Sequence, residues 1–120
     1  MPHLTLEVSA NLVHVVDPML DAVTDACRHG GHFERAVIMS RAVVHDRYRV
    51  RQQGMSAFAN LTLRIRPGRS EEVRAELAHR LADAVRRAMQ DRGVTTPTCI
   101  TCEIQEIDMR TRALIFAGEG

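Results

Sequence analysis

The chain has 120 residues, enough for one domain that buries roughly two thirds of the surface its unfolded form exposes, so no disulfide or metal staple is required. Its net charge of +1 comes from 16 basic residues, all arginine, against 15 acids, and with three Phe and one Tyr it has neither the basic surplus nor the stacking aromatics of a nucleic-acid binder. No run approaches the ~18 apolar residues of a membrane span, residues 1–30 lack the pattern of a secretory signal, and three cysteines, an odd number, fit a reducing compartment, so a cytoplasmic chain without membrane or nucleic-acid partners is expected.

Leu4, Leu6 and Val8 alternate with Thr5 and Glu7, the period of a half-buried strand. Asp17 and Pro18 then read as the N-cap and first position of a helix carrying Met19, Leu20, Val23, Ala26 and Cys27 at helical spacing, stopped by Gly30 and Gly31. Val37 to Val44 form a second β-rich run, which His45 to Val50 could extend, and Gln52, Gln53 and Gly54 supply a turn.

The pattern then restarts. His3-Leu4-Thr5-Leu6 recurs as Asn60-Leu61-Thr62-Leu63; Ile65 ends that strand and Pro67-Gly68 turns the chain. Ser70 caps a helix bearing Val73, Leu77, Leu81, Val85 and Met89 four apart, without a capping box, because Val73 occupies the third position after Ser70. Gly93 closes that helix and Thr98 to Ile107 form a last strand. The expected fold is α/β (α+β): a single domain over residues 1–120, built from two strand–helix–strand units of about residues 1–50 and 57–110, giving a four-stranded sheet with both helices on one face. Apolar residues pointing both ways from the strands would require cover on the second face, and the usual cover is a symmetric oligomer.

The start PHLTLEVSAN, the stretch IMSRAVV and the run AFANLTLRIRPGRSEEVR resemble the 5-carboxymethyl-2-hydroxymuconate isomerases of the tautomerase superfamily. That resemblance implies a homotrimer, isomerisation of an unsaturated enol carboxylate from aromatic-compound breakdown, and no metal or organic cofactor. Pro2 matches the catalytic proline, freed when Met1 is removed, and Arg69 matches the GRS arginine that binds substrate carboxylate in related tautomerases. The sequence departs from the family pattern where an RSR run is Met39-Ser40-Arg41, where a His is Asn60, and in the tail ALIFAGEG. Arg41 shares a strand face with position 39 and is the candidate replacement for the missing arginine. Phe116 is the candidate aromatic wall, with Leu4 and Phe58 as further apolar walls, whereas His3 reads as an ordinary strand-face residue.

Moving a double bond in an enol acid requires one base of pKa near neutrality. An α-amine starts near 8; an arginine ~6 Å away, at an effective dielectric of ~20, disfavours its ammonium form by roughly 2.8 kcal/mol, and burial acts in the same direction. The arginine would also grip the substrate carboxylate. The alternative left open is a non-catalytic module of the same fold, a small-acid binder or structural trimer, favoured by Met39 and the altered tail. A competing motif, Cys99-Ile100-Thr101-Cys102, has the spacing of a redox dithiol or half a zinc site, but in a strand residues three apart face opposite ways, and no second such pair exists. His79, Arg86 and Arg87 read as a solvated helix face.

Overall fold

In the computed structural model, which describes residues 1–29, 33 and 37–119, four strands and two long helices follow the expected order. Strand β1 (His3–Ser9) leads into a 3-10 helix (Ala10–Val15) and helix α1 (Val16–Arg28), after which β2 (Met39–His45) pairs parallel to β1. The second unit comprises β3 (Ala57–Ile65), α2 (Glu71–Asp91) and β4 (Thr98–Glu106), again with parallel outer and inner strands. The units meet through an antiparallel β1·β3 pair, so the sheet runs β2-β1-β3-β4. Thr5 pairs with Thr62, its own counterpart in the recurring sequence, which puts a local two-fold relation at the centre of the sheet.

Leu4, Leu6 and Val8 of β1 and Ala57, Ala59, Leu61, Leu63 and Ile65 of β3 are buried against one helix layer. Met19, Val23 and Cys27 of α1 and Leu77, Leu81, Val85 and Met89 of α2 close the core from above, as their helical spacing requires. Ser70 caps α2 by accepting from the Val73 N–H at 3.2 Å. At the other end Gly93 takes φ +69°, and the Val94 and Gly93 N–H groups donate to the Met89 and Gln90 carbonyls, a Schellman closure.

The start of α1 differs from expectation. Asp17 is not its N-cap, because the 3-10 helix feeds directly into α1 and Val15 occupies the cap without a side-chain hydrogen bond. Asp17 instead lies in the first turn, where its charge favours the helix dipole, and Pro18 is tolerated there because first-turn N–H groups need no intrahelical acceptor. β2 stops at His45 rather than continuing toward Val50, and the Gly30-Gly31 stop falls outside the described residues. The Gln52–Gly54 turn forms with Gly54 at φ +79°.

The second face of the sheet is also chemically different from expectation. By register it carries His3, Thr5 and Glu7 in β1, Asn60, Thr62 and Arg64 in β3, and Arg41 and His45 in β2, so the central strands are polar there. Arg41 donates toward Thr5 Oγ1 at 3.4 Å, His45 meets Glu7 at 2.9 Å, and Thr101 donates to Asn60 at 2.8 Å. Among the described strand residues, the apolar side chains on this face are Met39, Val43, Phe58 and Cys99. Strict alternation along β1 and β3 sends nearly all their large aliphatic groups to the helices.

Candidate active site

Pro2 immediately precedes β1 and is buried; its carbonyl accepts from the Met39 N–H at 3.1 Å, which fixes the chain start against the first residue of β2. Met1 lies in a cleft of about 400 Å³ at this end of the sheet, lined by Met1, His3, Met39, Arg64, Ile107, Arg112, Ala113, Leu114 and Ile115. Three of these come from one row of the open face, because His3 is in register with Met39 on one side and Arg64 on the other. The remaining wall is the segment after β4, tied to the end of β3 by the Ile107 N–H donating to the Ile65 carbonyl at 2.8 Å.

The cleft has a field of one sign. The Met1 amine is held below its ordinary pKa by burial first, then by Arg112 and Arg66. The His3 imidazole is likewise held below its ordinary value by burial, followed by Arg41, Arg64, the N-terminus and Arg112. Neither Arg64 nor Arg112 forms an ion pair with an acid among the described residues. A local excess of cations in a chain of net charge +1 gives the cleft a field that attracts small anions.

Of the residues singled out from the sequence, Pro2 is buried between the lining residues Met1 and His3 in the chain and is not itself a lining residue, and Arg41 reaches the cleft indirectly, with its Nη2 2.8 Å from His3 Nδ1. Arg69 belongs to the same end of the sheet, following the turn whose Gly68 N–H donates to Glu106 at 3.3 Å, but its guanidinium stacks over the buried Phe33 ring, 4.4 Å from the centroid. It also lies near enough to Cys27 to oppose the effect of burial, which pushes that thiol up to about 11. Leu4 is fully buried in the core and faces the helices, so it is no wall of the cleft.

Phe58 is elsewhere within one protomer. It packs with His45 and Tyr48, and its N–H donates to Ser9 Oγ at 3.0 Å, at the end of β1 opposite Pro2. Antiparallel β1·β3 pairing carries the start of β3 to the far end of the sheet. Phe116 is 80% exposed, next to Leu114 and Ile115, which do line the cleft. Arg64 and Arg112 are the cleft residues that sequence reasoning missed. Arg64 directly follows the recurring NLTL, but only the pairing register sets it beside His3, and nothing local marks Arg112.

Cys99 is in register with Phe58 on the open face and Cys102 with Leu61 on the core face, so the two thiols point apart. Burial, with smaller contributions from Cys27 and Glu103, pushes the Cys102 thiol up to about 12, away from the thiolate that redox exchange or metal binding needs. Among the described residues no three His, Cys, Asp or Glu side chains gather as a metal site, and no helix is long and apolar enough to cross a membrane. A second depression, of about 410 Å³, lies in the helix layer with an alanine floor between α1 and α2.

Comparison with curated proteins returns no match. Among solved structures, a 5-carboxymethyl-2-hydroxymuconate isomerase from Deinococcus radiodurans R1 is similar with TM-score 0.77 and 25% identity, covering 95% of this chain and 88% of that one. A 5-carboxymethyl-2-hydroxymuconate delta-isomerase matches with TM-score 0.69 and 23% identity, over 100% of this chain and 96% of its own. A fused 4-OT wild-type symmetric trimer matches with TM-score 0.61 and 19% identity over 88% and 85%, a likeness of fold alone. The model of the 5-carboxymethyl-2-hydroxymuconate isomerase family matches residues 2–113, which include Pro2, the whole sheet and the cleft wall at Arg112. With that match spanning nearly the whole chain and the same fold beneath it, the chain belongs to the 5-carboxymethyl-2-hydroxymuconate isomerase family and is an isomerase of tautomerase fold.

Proposed function

We propose that removal of Met1 frees Pro2 as the general acid/base of an enol–keto isomerisation of a 2-hydroxymuconate-type carboxylate. The observation that carries this reading is the cleft at the chain start walled by Arg64 and Arg112, where burial, then Arg112 and Arg66, hold the Met1 amine below its ordinary pKa. Cleavage of Met1 moves the free amine by one residue, to Pro2, whose chain neighbour His3 lines the same cleft. A neutral secondary amine takes the enol O–H proton; the resulting dienolate collapses to a ketone as the same nitrogen returns a proton to carbon. The oxidation state of the substrate does not change, so the reaction calls for no redox cofactor.

Arg64 and Arg112 are the proposed carboxylate contacts lining the cleft, and Arg41 and Arg69 add positive charge at the same end of the sheet. Dienolate charge is favoured by the same field. Phe58 would join this site only from a second copy of the chain, which is one reason to propose a homotrimer; the matched symmetric trimer and the exposed Met39, Val43, Leu114, Ile115 and Phe116 side chains are others. The test is an absorbance assay of 2-hydroxymuconate conversion by protein whose N-terminus has been read by mass spectrometry. Activity in protein beginning at Pro2, and its loss in protein with residues added before Pro2, supports the reading; full activity in the extended protein overturns it.

A further inference from the structure

We propose that His3 is a second catalytic group in the cleft, a neutral imidazole that donates its Nε2–H to the substrate oxygen as enolate charge develops there, with Arg41 as the positioning residue that fixes the tautomer. The inference rests on the assignment of the cleft as the isomerase site but concerns a different residue from the base. His3 directly follows Pro2 in the chain, and its side chain lines the cleft between Met39 and Arg64.

The tautomer follows from the partner. Arg41 Nη2 is 2.8 Å from His3 Nδ1, and a guanidinium has donors only, so Nδ1 must be the acceptor and the ring proton must reside on Nε2. Arg41 is itself steadied by a longer contact to Thr5 Oγ1 on the same strand face. Among the described residues no protein group hydrogen-bonds Nε2, which leaves this donor for a bound molecule.

The charge state follows from the surroundings. The charged side chains acting on His3 are Arg41 from β2, Arg64 from β3 and Arg112 from the segment after β4, all cations, and the Met1 ammonium acts in the same direction while Met1 is present. Glu7, further along the same face, is engaged by His45. An imidazolium would place an N–H against the Arg41 donor and add another positive charge to this group of cations, so the ring stays neutral at neutral pH. Neutrality fits the proposed role, because a neutral imidazole donates to a developing oxyanion without delivering a proton that would trap the enol. During turnover the enol O–H bond breaks as the Pro2 N–H bond forms, then that N–H bond breaks as C–H forms, and His3 keeps its proton throughout.

The experiment combines two readouts. Long-range ¹H–¹⁵N spectra of the wild-type protein should show the His3 ring as the Nε2–H tautomer at pH 7, and Arg41→Met should lose that fixed pattern and raise the imidazole pKa. On 2-hydroxymuconate, His3→Leu should lower kcat on the order of 10²-fold with a smaller change in KM, whereas His3→Gln, which restores an N–H donor at similar reach, should recover most of the loss. An imidazolium or an Nδ1–H tautomer at pH 7 in the wild type overturns the inference, as does a wild-type kcat in folded His3→Leu. Pro2→Ala assayed in parallel separates the two readings: a defect there with none in His3→Leu removes His3 alone, and full activity in an N-terminally extended protein removes the Pro2 base while the spectra still decide the tautomer.

Discussion

Pro2→Ala, in protein from which Met1 has been removed, isolates the contribution of the ring. Alanine keeps a free amine and keeps the carbonyl that accepts from the Met39 N–H, so β1 and β2 remain tied at their starts. Two ring methylenes are lost from a buried position, about 1.6 kcal/mol of stability at ~0.8 kcal/mol each, which a folded domain of this size tolerates. The kinetic loss is larger. The pyrrolidine ring locks rotation about the N–Cα bond and so the direction of the nitrogen lone pair; a primary amine regains rotational freedom of the order of one backbone residue, about 1–2 kcal/mol, and loses the ring's packing as well. Together these give a barrier increase of roughly 2.7 kcal/mol, or a kcat about 10² lower. The assay is 2-hydroxymuconate conversion at saturating substrate, with mass spectrometry confirming that the variant begins at residue 2. A kcat equal to wild type in that protein would refute the claim that the rigid secondary amine is the base.

Arg64→Ala and Arg112→Ala should each raise KM for 2-hydroxymuconate about tenfold or more, with a smaller fall in kcat, because charge-assisted contacts of ~1.5–3 kcal/mol form already in the ground state; unchanged KM in both variants removes them from the site. Arg69→Ala is expected to show the same pattern, and normal kinetics would leave it as a structural partner of Phe33. Since nearby cations favour the neutral amine, the ascending limb of the kcat/KM pH profile should move to higher pH in Arg112→Ala; a limb that stays or moves down contradicts the field argument. For His3 the folded pKa lies below the unfolded value of 6.5, so the unfolded chain binds the extra proton first and stability should decline as pH falls through 6.5, which denaturant titrations at about pH 7.5 and 5.5 would measure. Light scattering should find a trimer, and a stable 13.4 kDa monomer at micromolar concentration would exclude it.

The elements whose cause is local were legible in the sequence. Alternation placed β1 and β3, four-residue spacing placed the buried stripe of α2, and Ser70 and Gly93 marked its two ends, because hydrogen-bond capping and side-chain periodicity act within a few residues. The start of α1 escaped, since a 3-10 turn with no distinctive composition removed the need for an Asp17 cap. Pro2 as the candidate base also came from the sequence, from its position and the family motif around it. The surroundings of Pro2 did not. Whether β1 and β3 run parallel or antiparallel is decided by which packing buries Leu4, Leu6, Leu61 and Leu63 together, and that choice sets Arg64 beside His3 while sending Phe58 to the far end. The segment after β4 likewise brings Arg112 to the chain start from the other end of the sequence. Sequence alone therefore determined the strands, the helices and the chemical identity of the proposed base, all products of short-range forces or local motif. Only the tertiary structure decided which arginines gather at the chain start and that His3 Nδ1 meets Arg41, because those depend on long-range strand pairing and on charges that meet only once the core has closed.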